Sequence, residues 1–145
     1  MIDPSRKARF NEKLSRLDDD LNRLTTWYDE TQLEIAKNEN NKQGLYAIYH
    51  AIQLIAESIS DIAAMIVKDL SLIVKDNYSN YDILEQNNII TIEILDSLKE
   101  INGLRNHVVH DYNGIDDALA WESIGKVLEE IPHFKQAIIR WLATN

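Results

Sequence analysis

LYAIYHAIQLIAESISDIAAMIVKDL, residues 45–70, decides how this chain folds. Leu45, Ile48, Ile52, Ile55, Ile59, Ile62, Ile66 and Leu70 recur at spacings of three and four, the period of one helix face. Ala51, Leu54 and Met65 widen that stripe. At about 100° per residue the apolar arc covers well over half the circumference. A surface helix of a monomer needs an arc of only about 100°. Two readings follow: the helix is central to a bundle, or its second side meets another protein.

The chain on both sides is helical in pattern as well. Phe10, Leu14, Leu17, Leu21 and Leu24 predict a helix from Ser5 to about Lys37, with an interruption near Trp27. Asp3-Pro4 suits its start. KNENNKQG, residues 37–44, reads as a connection. VKDNYSNYD, residues 74–82, reads as a loop with a short helix from Tyr81, and the next long helix runs from Thr91 to about Asp111. Asn113-Gly114 is a stop signal, because both residues tolerate positive φ. Asp116 or Asp117 caps a last helix to about Leu142, with Leu119, Ile124, Val127, Ile131, Phe134 and Ile138 on its apolar face. Pro132 inside it predicts a kink. Only 4 Gly and 2 Pro occur in 145 residues, so turns are few and elements long. The expected architecture is all-α: one domain, residues 1–145, forming an up-and-down bundle of four to five helices.

Composition narrows the function. Cysteine is absent, which excludes disulfides and thiolate chemistry and is compatible with a reducing compartment. No apolar run follows a basic start, as a signal peptide requires. No uninterrupted apolar segment reaches the roughly 18 residues of a membrane span. A cytoplasmic location is the expectation. The formal net charge of −9 argues against non-specific binding to DNA or to an acidic membrane. Residues 1–17 depart from this, with Arg6, Lys7, Arg9, Lys13 and Arg16 against Asp3 and Glu12. A solvated helix face is the favoured reading of that basic segment.

The reactive side chains concentrate in GLRNHVVHDYNG, residues 103–114. On an ideal helix Ile94, Leu98, Ile101, Leu104 and Val108 form the core stripe, and Arg105 and Tyr112 fall in the same sector. A guanidinium on the apolar side is costly unless it is paired or opens on a cleft. Asn106 and His110, four apart, share a neighbouring face. Arg105 and His110 lie about 140° apart. One regular helix does not easily join them, whereas a second copy related by two-fold symmetry would pool two arginines and two histidines.

RNHVVHDY resembles the R-N-x-x-x-H-x-Y motif of the HEPN superfamily, in its HepT-like toxin branch. Arg105 matches the arginine, Asn106 the polar residue after it, His110 the histidine and Tyr112 the tyrosine. The flanking GLRN and DYNGID, the helix order and the chain length agree. His107 adds an imidazole the motif does not require. The resemblance implies a HEPN-like bundle acting as a homodimer and a metal-independent endoribonuclease toxin with no cofactor. Its site is a cleft where two such motifs face each other. It further implies a minimal nucleotidyltransferase antitoxin that transfers AMP to Tyr112.

The residue types suit that chemistry. Cleaving RNA without a metal needs a proton taken from a 2′-hydroxyl and another given to the leaving 5′-oxygen. Imidazole serves both, with an unperturbed pKa of about 6.5. Arginine's planar fork fits phosphate and its developing charge. His110 is therefore the expected general acid/base and Arg105 the phosphate clamp, with Asn106 orienting His110 or binding phosphate. An AMP on Tyr112 would block the site by bulk and like charge.

Two other readings compete. One is a non-catalytic helical dimer that holds a nucleotidyltransferase or a nucleotide, which the acidic net charge favours because a ribonuclease must attract a polyanion. The other is a metal-dependent hydrolase using His107, His110 and Asp111 with Glu57 and Asp61, although these match no recognised zinc spacing. His50 and His133 read as structural or surface residues, and Trp27, Trp121 and Trp141 as core anchors rather than base-stacking platforms.

Overall fold

Asp3 starts the first helix: its carboxylate accepts from the Arg6 backbone N–H at 2.9 Å, and Pro4 occupies the first turn. The computed structural model describes residues 2–38, 42–110 and 116–145, with the backbone but not the side chain of His110. Its elements are α1 (Pro4–Glu30), α2 (Leu33–Ala36), α3 (Lys42–Asp69), α4 (Asn77–Gln86), α5 (Ile92–His110) and α6 (Asp117–Thr144). The described residues hold no strand.

Contacts across the seams give the topology. Arg6 pairs with Asp69 and Lys13 with Asp61, so α1 and α3 run antiparallel. Glu57 faces Arg105, while Leu70 and Ile94 share a cleft at the other end, so α3 and α5 are antiparallel. Ser123 donates to Glu100 between α6 and α5. Phe10 meets Trp141 edge-on, Lys135 pairs with Asp18 and Tyr28 stacks on Trp121, which closes α6 back onto α1. The result is an up-and-down four-helix bundle with α4 laid along α3 and α5.

The apolar arc of α3 is used inside this bundle. Ile52, Ile55, Ile59, Ile62 and Ile66 are fully buried, and α3 packs on α1, α2, α4 and α5. By length and composition α3 could cross a membrane, with a mean hydropathy of 1.4 over its most apolar window. Yet 61% of that window is buried in the bundle, as befits a core helix. The central position is thus the one observed. Tyr46, His50, Glu57, Asp61 and Lys68 form its exposed strip.

Two boundaries differ from expectation. The first helix continues past Trp27 because Trp27 and Tyr28 pack against the core. It ends where Asp29 and Glu30 meet the negative end of the helix dipole and Thr31 turns extended. The chain then forms the short separate α2. The fourth helix starts at Asn77, not Tyr81, because its polar residues act as caps. Asp76 accepts from the Ser79 backbone and hydroxyl, each at 2.9 Å, and Asn80 bonds both the N–H and the C=O of Lys75. Asp116, rather than Asp117, caps α6 through the backbone N–H groups of Ala118 and Leu119. Pro132 sits on the exposed side of an uninterrupted α6. The Asn113-Gly114 stop lies outside the described residues.

Candidate functional site

The last two turns of α5 carry the motif from Arg105 to His110. Leu98, Ile101 and Leu104 are buried as the stripe predicts and Val108 packs against the core, which fixes the rotation of the helix. That rotation sends Arg105 toward α3. Its side chain is 30% exposed, so water reaches part of the guanidinium, and two side chains lie beside it. Nη1 donates to Asn106 Oδ1 at 3.3 Å, and Nη2 lies 4.0 Å from Glu57 Oε1 on α3. Glu57 Oε1 in turn accepts from Gln53 Nε2 at 3.3 Å, one turn back along α3.

The structure therefore brings Arg105 and Asn106 together. His110 ends the same helix, five residues beyond Arg105, with its side chain outside the described residues. Tyr112 also lies outside them. His107 is exposed on the other side of α5, where it lines a cleft of about 440 Å³ with Glu100, Gly103, Leu119 and Ser123 of α5 and α6. Glu57 thus belongs with Arg105, Asp61 with Lys13, and His107 with the α5–α6 cleft, so the described groups of the metal reading are split over three places. Among the described residues no three His, Asp or Glu side chains are grouped to hold a metal.

Glu57 is the site residue that the sequence did not reveal as Arg105's partner. The available signal was the demand itself: an arginine on an apolar face needs an anion, and the facing helix offers few.

Two surrounding features set the frame. Tyr49 on α3 donates to Asp117 in the first turn of α6, and burial together with that carboxylate pushes the phenol well above its usual range. This fixes where α6 begins, seven residues beyond the end of α5. A larger cleft of about 720 Å³ lies at the opposite end of the bundle, between Ile89, Ile94, Arg140 and Trp141, away from the motif. Of the basic N-terminal residues, Arg6 and Lys13 are engaged by α3 carboxylates, while Arg9 and Arg16 stay exposed. His50 and His133 are exposed. Trp27, Trp121 and Trp141 pack against the core.

The chain resembles known proteins in sequence and in fold. A family model described as "Ribonuclease HepT-like" matches residues 17–138. A protein of Archaeoglobus fulgidus named "Putative RNase" is 40% identical over 91 residues, covering 63% of this chain and 69% of that one. The mRNA nuclease HepT of Shewanella oneidensis is 33% identical over 88 residues, covering 60% of this chain and 66% of its own. Among solved structures, the tri-AMPylated HEPN toxin of Shewanella oneidensis in complex with its MNT antitoxin superposes with a TM-score of 0.78. It shares 23% identity, over 90% of this chain and 96% of that one, and that likeness speaks for the fold. An all-α bundle, an R-N-x-x-x-H-x-Y motif that begins in the last turns of its fifth helix and a family match over most of the chain have one reading: this chain belongs to the HepT-like ribonuclease family.

Proposed function

We propose that the chain is an endoribonuclease toxin that cleaves RNA at a site shared by two copies, without a metal ion. In this reading Arg105 binds the scissile phosphate and stabilises its developing charge. His110 takes and returns the protons, and Asn106 holds the arginine fork or the imidazole. The observation that carries the reading is Arg105 itself. It is a half-buried cation on the core side of α5, hydrogen-bonded to Asn106 at one end of its fork, with Glu57 4.0 Å from the other, and five residues before His110.

Cleavage by attack of the 2′-oxygen leaves a 2′,3′-cyclic phosphate and a free 5′-hydroxyl. The test is to incubate purified protein with a defined RNA in EDTA and analyse the new ends. A cyclic phosphate is expected. A 5′-phosphate end, or cleavage lost in EDTA and restored by a divalent ion, would overturn the mechanism.

The partner in this reading is a minimal nucleotidyltransferase antitoxin that places AMP on Tyr112. Support comes from the family and from the solved Shewanella toxin, which is AMPylated and bound to its MNT antitoxin. The net charge of −9 favours a second reading, a non-catalytic dimer that binds the nucleotidyltransferase alone. Partner binding by a wild-type protein with no cleavage of any RNA would select it.

A further inference from the structure

Glu57 comes from a different helix than the motif, yet it is the acidic side chain that meets Arg105 among the described residues. The contact links four side chains across the α3–α5 seam. Gln53 donates to Glu57, Glu57 faces the Nη2 of Arg105, and the Nη1 of Arg105 donates to Asn106. We propose that Glu57 is a positioning residue for the cleavage reaction, holding the Arg105 guanidinium in the orientation that receives the scissile phosphate. The inference rests on the ribonuclease reading given above.

A long arginine side chain samples many rotamers, and its planar fork grips phosphate well only when its plane is fixed. Asn106 bonds one end of the fork, and the Glu57 carboxylate, 4.0 Å from the other, attracts it toward α3. A guanidinium has five N–H donors, so enough remain to bind phosphate oxygens. The same carboxylate repels a phosphate entering the site, which works against substrate binding. Orientation acts on the reacting complex and repulsion on the ground state, so the two effects separate in the kinetic constants. A merely structural tie would behave otherwise. Glu57 is 47% exposed, while Ile55 on α3 and Ile101 and Leu104 on α5 are buried in the core.

The test is steady-state cleavage of a short defined RNA by the purified full chain. Glu57→Ala is expected to lower kcat by about 10- to 100-fold, the scale of a misaligned catalytic group, with KM unchanged or lower. Glu57→Gln keeps a neutral acceptor for the arginine and removes the repulsion, so its kcat falls less and its KM drops. Glu57→Asp recovers part of the loss. In an Arg105→Ala background, Glu57→Ala has no further effect on kcat. Thermal unfolding run alongside shows whether each variant is folded, and Glu57→Gln carries the test if the alanine variant is not.

Wild-type kcat in folded Glu57→Ala, or a raised KM with kcat intact, overturns the proposal while a dead Arg105→Ala leaves the ribonuclease reading standing. Wild-type cleavage by Arg105→Ala, or none by the unaltered protein, overturns both.

Discussion

Asn106 Oδ1 receives a hydrogen bond from the Nη1 of Arg105 at 3.3 Å, so two adjacent motif residues are bound to each other in the free protein. Adjacent residues on a helix point about 100° apart, and only the length of the arginine lets them meet. In the proposed reaction this bond restrains the clamp before substrate arrives. Asn106→Ala is expected to lower kcat by about 10-fold while stability changes by less than ~1 kcal/mol, the net worth of a partly exposed hydrogen bond. A comparison of cleavage rate and urea midpoint checks it. Unaltered cleavage would remove Asn106 from the site.

Tyr112 is proposed as the acceptor of AMP, with no part in the chemistry. Tyr112→Phe should therefore cleave RNA at close to the wild-type rate and resist silencing by a nucleotidyltransferase partner. Intact-mass measurement after co-expression should show added AMP on the wild type and none on the variant. Modified variant protein would place the acceptor elsewhere.

An aromatic contact joins α1 to α6. Phe10 is fully buried, with its ring 5.7 Å from that of Trp141 at an interplanar angle of 70°, and Arg6 sits over its face. Phe10→Ala should cost about 3–5 kcal/mol, a large share of the roughly 5–15 kcal/mol that holds a domain together. Chemical denaturation reads this directly. A loss below ~1 kcal/mol would mean that the two helices do not pack in this way.

Gly125 shows why a helical glycine is kept. A Cβ there would stand 2.7 Å from the Tyr28 hydroxyl, which donates to the Trp121 carbonyl at 3.3 Å. Gly125→Ala gains helix propensity of about 1 kcal/mol but must displace that hydroxyl. The gain should be largely cancelled in the wild type and recovered in Tyr28→Phe, where the nearest remaining ring carbon is 3.5 Å away. A double-mutant cycle by thermal unfolding decides the matter, and equal effects in both backgrounds would refute the contact.

Acid should loosen α4 and the start of α1. The Asp76 carboxylate is held below its usual value by the Ser79 backbone N–H and then by the Ser79 hydroxyl, and Asp3 is held down by the Ser5 hydroxyl and the Arg6 N–H. A carboxylate with a lowered folded pKa stabilises the fold above its unfolded value and loses that contribution as pH falls through the folded one. The stabilisation should therefore be intact above about pH 4, near the unfolded carboxylate value, and disappear below it. Asp76→Asn keeps an acceptor oxygen and should weaken the acid dependence of α4, read from amide signals of residues 77–80. An unchanged acid profile would count against the cap.

The periodic parts of the fold were legible in the sequence, and the parts that depend on tertiary pairing were not. The isoleucines of α3 announced burial on two sides, and the packed bundle decides that its own helices, rather than another protein, supply it. Asp116 announced the start of α6 by its chemistry. The start of α4 was obscured because Asp76, Ser79 and Asn80 look like loop residues until their backbone partners are seen. Arg105 and Asn106 could be placed on their helix faces from spacing alone. Glu57 could not be joined to them, since it is 48 positions earlier and looks like any surface acid until α5 is laid against α3. His110 and Tyr112 were placed by the same spacing, and their roles in cleavage and modification stand as proposals about chemistry.

The most direct test of the account is single-turnover cleavage of one defined RNA by folded Arg105→Ala and His110→Ala proteins beside the unaltered chain. Removal of a positioned acid/base or of a transition-state clamp should slow the reaction by at least about 10²-fold in each case, with matched unfolding midpoints. Cleavage by His110→Ala at the wild-type rate would contradict it.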